Sequence, residues 1–415
     1  MKVYKFGGAS VKDVKSIENF VKIVSQFKAK KCLIVVSAMG KMTNAFEEIV
    51  DAYFKNTSIL SDKIACTKEY HFAILNELFI DKEQSIFDEI LQIYMQISGF
   101  LATNTTKDYN YVYDQVVSNA EIISTKILSH YLKVKNVENS WLDAREYIKT
   151  DTNYRRANVD FEQTKITIKP INTNAIYITQ GFIASAESKK TTTLGREGSD
   201  YSAAIFASCL QAESLTIFKD VAGVLNADPK WFEDTILLEK ISYKEAIEMA
   251  FYGASVIHPK TIQPLKNATI PLYVKSFINP KLKGTVIKND IKMHPKVPCF
   301  IEKKAQILLS ITTKDFSFIE ENNISEIFGL MHTFRLKANL IQNTAISFTI
   351  CLEDVFNTFS KFLKQLQVNY KGKYNNDVKL LTIRHFTANS IAEIEKNNNV
   401  LLKQTTRETV QFIVK

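Results

Sequence analysis

Residues 2–20, KVYKFGGASVKDVKSIENF, open with a short apolar segment, Val3-Tyr4-Lys5-Phe6, and run at once into the pair Gly7-Gly8. The first segment reads as a strand. Ser16 then reads as a helix N-cap, and Ile17, Phe20, Val21, Val24 and Phe27 recur at helical spacing. Cys32-Leu33-Ile34-Val35-Val36-Ser37 is a continuous apolar run, the pattern of a strand covered on both faces. Strand, glycine loop, helix and buried strand make a βαβ unit. Its loop lies at the C-terminal edge of the first strand, where open α/β sheets bind ligands. Two adjacent glycines cost more backbone entropy than other residues, so either a plain turn or a closely approaching ligand must offset them.

Outward from this unit, residues 44–104 read as mostly helical. A βαβ rhythm then resumes through VVSNAEIISTKILSHYL, NSWLDAREYI and AIYITQGFIAS. It continues with GSDYSAAIFASCL, where Ser199 is a natural N-cap, SLTIFKDVAGVL, a helix stopped by Gly253, and the strand PLYVKSF. NDIKMHPKVPCF, with two prolines and mixed charge, marks a domain boundary near residues 288–297. Beyond it comes a β-α-β-β-α-β series and then a shorter β-α-β-β series. A strand around Cys299-Phe300-Ile301 is placed to complete the second and interleave the two. The expected domains are therefore residues 1–288, 297–370 and 371–415, the last completed near 297–303.

At 415 residues and 46% hydrophobic composition, the chain can bury a large core in two or three domains. The net charge of +9 is spread over lysines along the chain, with no basic stripe interleaved with aromatics. A solvated surface or anionic small molecules fit this better than nucleic acid. The cysteines, Cys32, Cys66, Cys209, Cys299 and Cys351, are odd in number and scattered, without a CxxC spacing, which argues against zinc and disulfide frameworks. Neither a signal-peptide core nor an apolar run able to span a bilayer is seen, so a cytoplasmic protein with no membrane contact is expected.

Four loops hold residue types suited to chemistry. At KFGGAS, backbone N–H groups beside Gly7 and Gly8 can face phosphate oxygens, and Lys5 can place an ammonium on a phosphoryl group; for the glycines taken alone an ordinary turn is the better explanation. At SAMGKMTN, Ser37 and Thr43 can meet a carboxylate, or Thr43 and Asn44 can cap the next helix. At TTTLGREGSDYSAA, Arg196 can grip a carboxylate with two parallel bonds. Asp200 is also expected in a first helical turn for dipole reasons alone. At KDVAGVLNADPK, Asp220 and Asp228 also suit plain turns. His258, in IHP, reads as structural, near a helix end.

In combination these stretches resemble the aspartate kinases of the amino-acid kinase family. KFGGASV is similar to that family's KFGGTSV opening except at Ala9. TTTLGREGSD is similar to its glycine-rich TTLGRGGSD segment except at Glu197, and KDVAGVLNADPK resembles its TDVxGVYTADPR segment. WLDAREYIKTD, QGFIAS, EAIEMAFYGASVIHP and a tail resembling two ACT domains extend the similarity over nearly the whole chain. The resemblance implies an α/β amino-acid kinase fold, an open and largely parallel sheet between helices, followed by α+β ACT-like βαββαβ repeats.

What the resemblance implies for function is transfer of the γ-phosphoryl of ATP to the side-chain carboxylate of L-aspartate, with Mg2+ held mainly by phosphates and no particular metal ligand assigned. Lys5 and Asp200 would be catalytic. Lys5, Gly7, Gly8, Lys219, Asp220, Leu225 and Asp228 would hold ATP. Ser37, Thr43, Glu121, Phe182 and Arg196 would hold aspartate, Glu121 at its ammonium and Arg196 at its α-carboxylate. Asn343, Thr344 and Ser347 would face a lysine or threonine effector, or be no more than an edge of a sheet that pairs two copies into a homo-oligomer. Ala9, Ala120, Lys219, Leu225 and Ser255 depart from the family pattern, chiefly on the nucleotide side. The other readings are a weakly catalytic amino-acid sensor acting through the tail, or an amino-acid kinase with another acceptor. No GxGxxG unit follows the tail, so a fused homoserine dehydrogenase is not expected.

Overall fold

The structure is a computed structural model that describes residues 1–27, 31–79, 84–171, 174–187, 189–195, 197–232, 234–254, 257–315 and 317–415. The chain divides into two compact units. The first comprises Met1–Val224, Leu237–Ile247 and Ile257–His294, and the second Leu225–Ile236, Glu248–Val256 and Pro295–Lys415.

The strands of the first unit are β1 (Lys2–Phe6), β2 (Cys32–Val36), β3 (Ser140–Leu142), β4 (Lys149–Thr150), β5 (Ile176–Gln180), β6 (Ile183–Ala186), β7 (Thr191–Thr193), β8 (Ser214–Lys219), β9 (Lys240–Ser242), β10 (Leu272–Ser276) and β11 (Thr285–Lys288). Eight of them form one sheet in the order β3-β5-β2-β1-β8-β10-β11-β9. From β3 to β10 every pairing is parallel; β11 turns back against β10. The remaining three form a small sheet, β4-β6-β7. β1 is central, with Lys5 level with Val35 of β2 and Ile217 of β8. Parallel pairing brings the loops after β1, β2, β5 and β8 to one edge. β2 is buried along its whole length, as a strand with both faces covered must be.

Helix α1 (Val14–Ser25) buries Ile17, Phe20, Val21, Ile23 and Val24. Its N-cap is Asp13, whose carboxylate accepts the Ser16 N–H at 2.8 Å, rather than Ser16. Asp13 has the extended backbone an N-cap requires, which leaves Ser16 inside the first turn. The helical stretch after β2 is α2 (Met42–Lys55), α3 (Leu60–Leu78) and α4 (Gln84–Thr103), followed by α5 (Tyr109–Val117) and α6 (Asn119–Val134). Their apolar faces join β1, β2 and α1 in one core. Short helices α7 (Ala144–Tyr147) and α8 (Phe161–Ile168) precede α9 (Gly198–Cys209). α10 (Tyr243–Tyr252) ends at Gly253, whose φ of +113 suits glycine. His258 caps α11 (Pro259–Asn267) by accepting the Lys260 N–H, the structural role its sequence suggested. Among the described residues no helix is long and apolar enough to cross a membrane.

The second unit holds an antiparallel sheet built on two 15-residue strands, β12 (Cys299–Thr313) and β15 (Tyr370–Arg384). With β13 (Lys337–Asn343), β14 (Phe348–Glu353), β16 (Val400–Thr405) and β17 (Thr409–Val414), the order is β13-β14-β12-β15-β17-β16. Helices α12 (Glu321–Thr333) and α13 (Phe359–Leu366) bury Ile327, Met331, Phe359 and Phe362 on one half. α14 (Ala388–Asn397) serves the other half. Cys299–Lys303 of β12 pairs with Leu380–Arg384 of β15, so the start of β12 belongs to the α14 half while its end belongs to the α12 half. This is the α+β, ACT-like arrangement of two interleaved repeats.

Close approach sets two glycines at the sheet edge. A Cβ on Gly181 would lie 2.5 Å from the Ser199 Cβ, and one on Gly198 would lie 2.7 Å from the Phe182 ring. The start of α9 thus seats directly on the turn after β5. Gly181→Ala should cost about 1–3 kcal/mol by overpacking. Denaturant unfolding of the full chain checks this, and a variant as stable as the wild type would show that the α9 contact is loose.

Candidate functional site

Lys5 sits at the end of β1, with only 9% of its surface exposed, and its ammonium meets Asp200 Oδ1 at 2.6 Å. Asp200 lies in the first turn of α9 and is buried, and Lys219, at the end of β8, reaches its Oδ2 at 4.0 Å. Burial pushes the Asp200 carboxyl up, but Lys5 and then Lys219 outweigh it and hold the group below the usual carboxylate range. The Lys5 Nζ also lies over Gly7, 3.4 Å from where a Cβ would stand. A Cβ on Gly8 would meet both Ala38 O and Gly40 O at 2.7 Å. The loops after β1 and β2 therefore close on each other through Gly8, with Gly40 N donating to Gly8 O at 3.0 Å. Packing against the 37–40 loop leaves no space for a Cβ at Gly8, and Gly7 leaves room beside the ammonium.

The other side of that loop carries the second pole, a buried acid. Glu121, in the first turn of α6, is 2% exposed. Its Oε1 accepts the Thr43 hydroxyl at 3.2 Å, and its Oε2 has no hydrogen-bond partner among the described residues. Burial pushes the carboxyl up to about 8; the Thr43 hydroxyl and the backbone N–H groups of Glu121 and Ala38 oppose this only in part. Thr43 does not cap α2. The N-cap is Lys41, which makes no side-chain cap bond, so the hydroxyl is free to turn inward to Glu121. Ser37 stands between the poles, its carbonyl accepting the Ser124 hydroxyl of α6 at 2.8 Å.

Phe182 follows Gly181 with a φ of +71, its N–H held by the Ser202 hydroxyl of α9 at 2.9 Å. α9 starts at Gly198 after Glu197, which is left-handed at φ +57 and makes no side-chain cap bond; Ser199 lies in the first turn. Arg196 lies outside the described residues. Asp220 is exposed just beyond β8. Leu225 and Asp228 belong to the second unit, where the Asp228 carboxylate accepts the Lys230 N–H at 2.9 Å in a turn. Asn343, Thr344 and Ser347 also belong to that unit, at the β13–β14 hairpin, where the two hydroxyls bond each other at 2.7 Å. The structure thus brings Lys5, Gly7, Gly8, Ser37, Thr43, Glu121, Asp200 and Lys219 to one sheet edge.

Sequence reasoning missed Asp114. It lies on α5 among buried Val112, Tyr113, Val116 and Val117, and accepts hydrogen bonds from Thr193 and Arg155. A carboxylate set at an apolar position of the YVYDQVV pattern was the available signal.

A buried ammonium over a glycine loop at a helix N-terminus is suited to phosphate. A buried acid with one unused oxygen is suited to an ammonium. An edge bearing both is suited to a phosphate and a small zwitterion side by side. The amino acid kinase family model matches residues 1–276, and the chain belongs to the amino acid kinase family. Within that family its relatives are aspartate kinases. It is 29% identical over 360 residues to lysine-sensitive aspartokinase 3 of Escherichia coli, covering 86% of this chain and 79% of that one. It is 30% identical over 422 residues to the bifunctional aspartokinase/homoserine dehydrogenase of Buchnera aphidicola, covering 97% of this chain and 51%, about half, of that protein. The crystal structure of E. coli aspartokinase III in complex with lysine and aspartate, in the T-state, superposes with a TM-score of 0.83 at 26% identity. It covers all of this chain and 96% of that one.

The Glu121 shift has a measurable consequence. The folded protein holds this proton up to about pH 8, whereas an unfolded glutamate loses it near 4.5. Its contribution to stability is therefore greatest below the unfolded value and is lost as pH rises to the folded one. Glu121→Gln cannot ionise, so it should gain on the wild type across that window, by on the order of a few kcal/mol. Melting series in matched buffers on either side of the window check this, and parallel curves would contradict it.

Proposed function

We propose that this chain is an aspartate kinase, transferring the γ-phosphoryl group of ATP to the side-chain carboxylate of L-aspartate to give 4-phospho-L-aspartate and ADP. The observation that carries the reading is the pairing of a buried ion pair and a buried acid across the 37–40 loop, Lys5–Asp200 on one side and Thr43–Glu121 on the other. Glu121 takes the ammonium of aspartate and Arg196 its α-carboxylate, with Ser37 and Phe182 lining the pocket. That leaves the side-chain carboxylate directed at the phosphates held by Lys5, Gly7 and Gly8. Lys219, Asp220, Leu225 and Asp228 lie along the nucleotide.

The chemistry needs no general base, because the nucleophile is already ionised. A carboxylate oxygen bonds to the γ-phosphorus, the bond from that phosphorus to the β,γ-bridging oxygen breaks, and ADP leaves with the electron pair. What remains is to hold two anions in line and to neutralise the charge between them. Lys5 does the second task, and Asp200 fixes where its ammonium points. Among the described residues no three His, Cys, Asp or Glu side chains lie together as a metal site, and Asp200 is already engaged by Lys5. An ion arriving with ATP would be held mainly by phosphate oxygens and water.

Residues 1–288 form the catalytic domain in this reading, with 297–370 and 371–415 as interleaved ACT-like domains, the second completed by a strand near 297–303. The enzyme acts in the cytoplasm, at the entry to lysine, threonine and methionine synthesis. The tail pairs two copies and takes lysine or threonine near Asn343, Thr344 and Ser347. Titrating each amino acid into the activity assay separates an effector site, which gives inhibition, from a purely structural edge, which gives none.

The primary test is trapping. With Mg-ATP, hydroxylamine and L-aspartate the protein should yield aspartyl hydroxamate, and little with L-glutamate. Hydroxamate from glutamate but not aspartate would assign another acceptor, and none from either would favour a sensor. Lys5→Ala should lower turnover about 100-fold or more without loss of the fold, as read by circular dichroism.

A further inference from the structure

Asp114 is wholly buried on α5, and each of its contacts is a donor. Oδ1 accepts the Thr193 hydroxyl at 2.7 Å and the Arg155 N–H at 3.1 Å; Oδ2 accepts the Thr193 N–H at 2.9 Å and the same Arg155 N–H at 3.0 Å. Burial pushes this carboxyl up to about 6 even so. The guanidinium of Arg155 points elsewhere, to Glu47 Oε1 at 2.9 Å, with its centre 4.2 Å from the Tyr113 ring centroid. A buried carboxylate answered mainly by backbone and hydroxyl donors is a costly way to fill a core.

The segments it joins flank the acceptor side of the site. Thr193 ends β7, two residues before Gly195, and in sequence Arg196 follows. Gly195 is left-handed at φ +80, and a Cβ there would stand 3.1 Å from Arg155 O. Ala157 N donates to Thr193 O at 3.0 Å. Arg155 is itself left-handed at φ +66, a conformation that a non-glycine residue keeps only when its surroundings impose it. Through Glu47, Arg155 also reaches α2, one turn beyond the Thr43 that holds Glu121.

We infer that Asp114 is a positioning residue for the acceptor. Its carboxylate clamps the Thr193–Gly195 segment to the strained turn at Arg155, and so fixes the wall that binds the amino-acid substrate. The inference rests on the kinase reading above. None of its contacts involves Lys5, Gly7, Gly8 or Asp200, so the acceptor and nucleotide sides should respond differently to its loss.

The test uses the full-length chain, with Asp114→Asn and Thr193→Val, in the hydroxamate assay. In Asp114→Asn the amide oxygen can keep both backbone N–H bonds, but the charge and the hydroxyl's acceptor are lost. Thr193→Val removes the hydroxyl alone. Losing hydrogen bonds to a charged group should raise the KM for aspartate about tenfold in Asp114→Asn and by less in Thr193→Val, while the KM for ATP and kcat stay near wild type. An unchanged aspartate KM in both variants, or a parallel loss of both KM values and kcat with a lower Tm, would overturn the inference while leaving the kinase reading intact. If Asp114→Asn does not fold, Thr193→Val decides by the same readings. A wild-type protein that forms no hydroxamate would overturn the kinase reading and this inference together.

Discussion

A lysine ammonium and an aspartate carboxylate, both nearly out of water, meet at 2.6 Å at the end of the central strand. The rest of the site is arranged around this contact. Charges removed from water need each other, and such a pair is seldom kept for stability alone, because apolar residues of similar volume often serve as well. Here the pair needs β1 to lie beside β8, and α9 to start where β1 ends. The sheet order and the glycine contacts supply both. Lys219 adds a second positive charge beside the same carboxylate, so this edge carries two ammonium groups to one carboxylate.

The second pole obeys the opposite rule. Among the described residues Glu121 pairs with no cation, only with the Thr43 hydroxyl and the backbone N–H groups of Glu121 and Ala38, and its carboxyl rises to about 8. A buried acid kept short of partners is suited to an ammonium, the role the proposed function gives to the amino-acid substrate. The 37–40 loop separates the poles and touches both sides, packing on Gly8 and offering the Ala38 N–H towards Glu121. Under the proposed function this arrangement suits a ligand that carries a cation at one end and an attacking anion at the other.

Much of this was legible in the sequence because its signals are local. The strand, glycine pair, amphipathic helix and buried strand of residues 2–37 each follow from short-range pattern. The shared β12 strand was visible in the apolar segment at Cys299–Ile301. The readings that failed depended on alternatives a few residues apart. Ser16 and Asp13 are both good caps, and only the backbone at Asp13 decided between them. Ser199 gave way to Glu197 because α9 starts two residues earlier, where the left-handed turn ends. Thr43 had two possible partners, its own helix terminus and a glutamate 78 residues away, and a sequence shows only the first. Asp114 stood out only as a carboxylate in an apolar pattern, and its partners, Arg155 and Thr193, lie on segments that only the tertiary fold brings to α5.

The account stands on Lys5 and Asp200 acting as one device, with the carboxylate aiming the ammonium and contributing little of its own. A double-mutant cycle in kcat, with Lys5→Met, Asp200→Asn and the pair together, measures this directly. The account predicts strong non-additivity, the double variant being about as slow as Lys5→Met alone. Losses that multiply, so that the double variant is slower by the product of the two single effects, would show that the residues act independently and would contradict it.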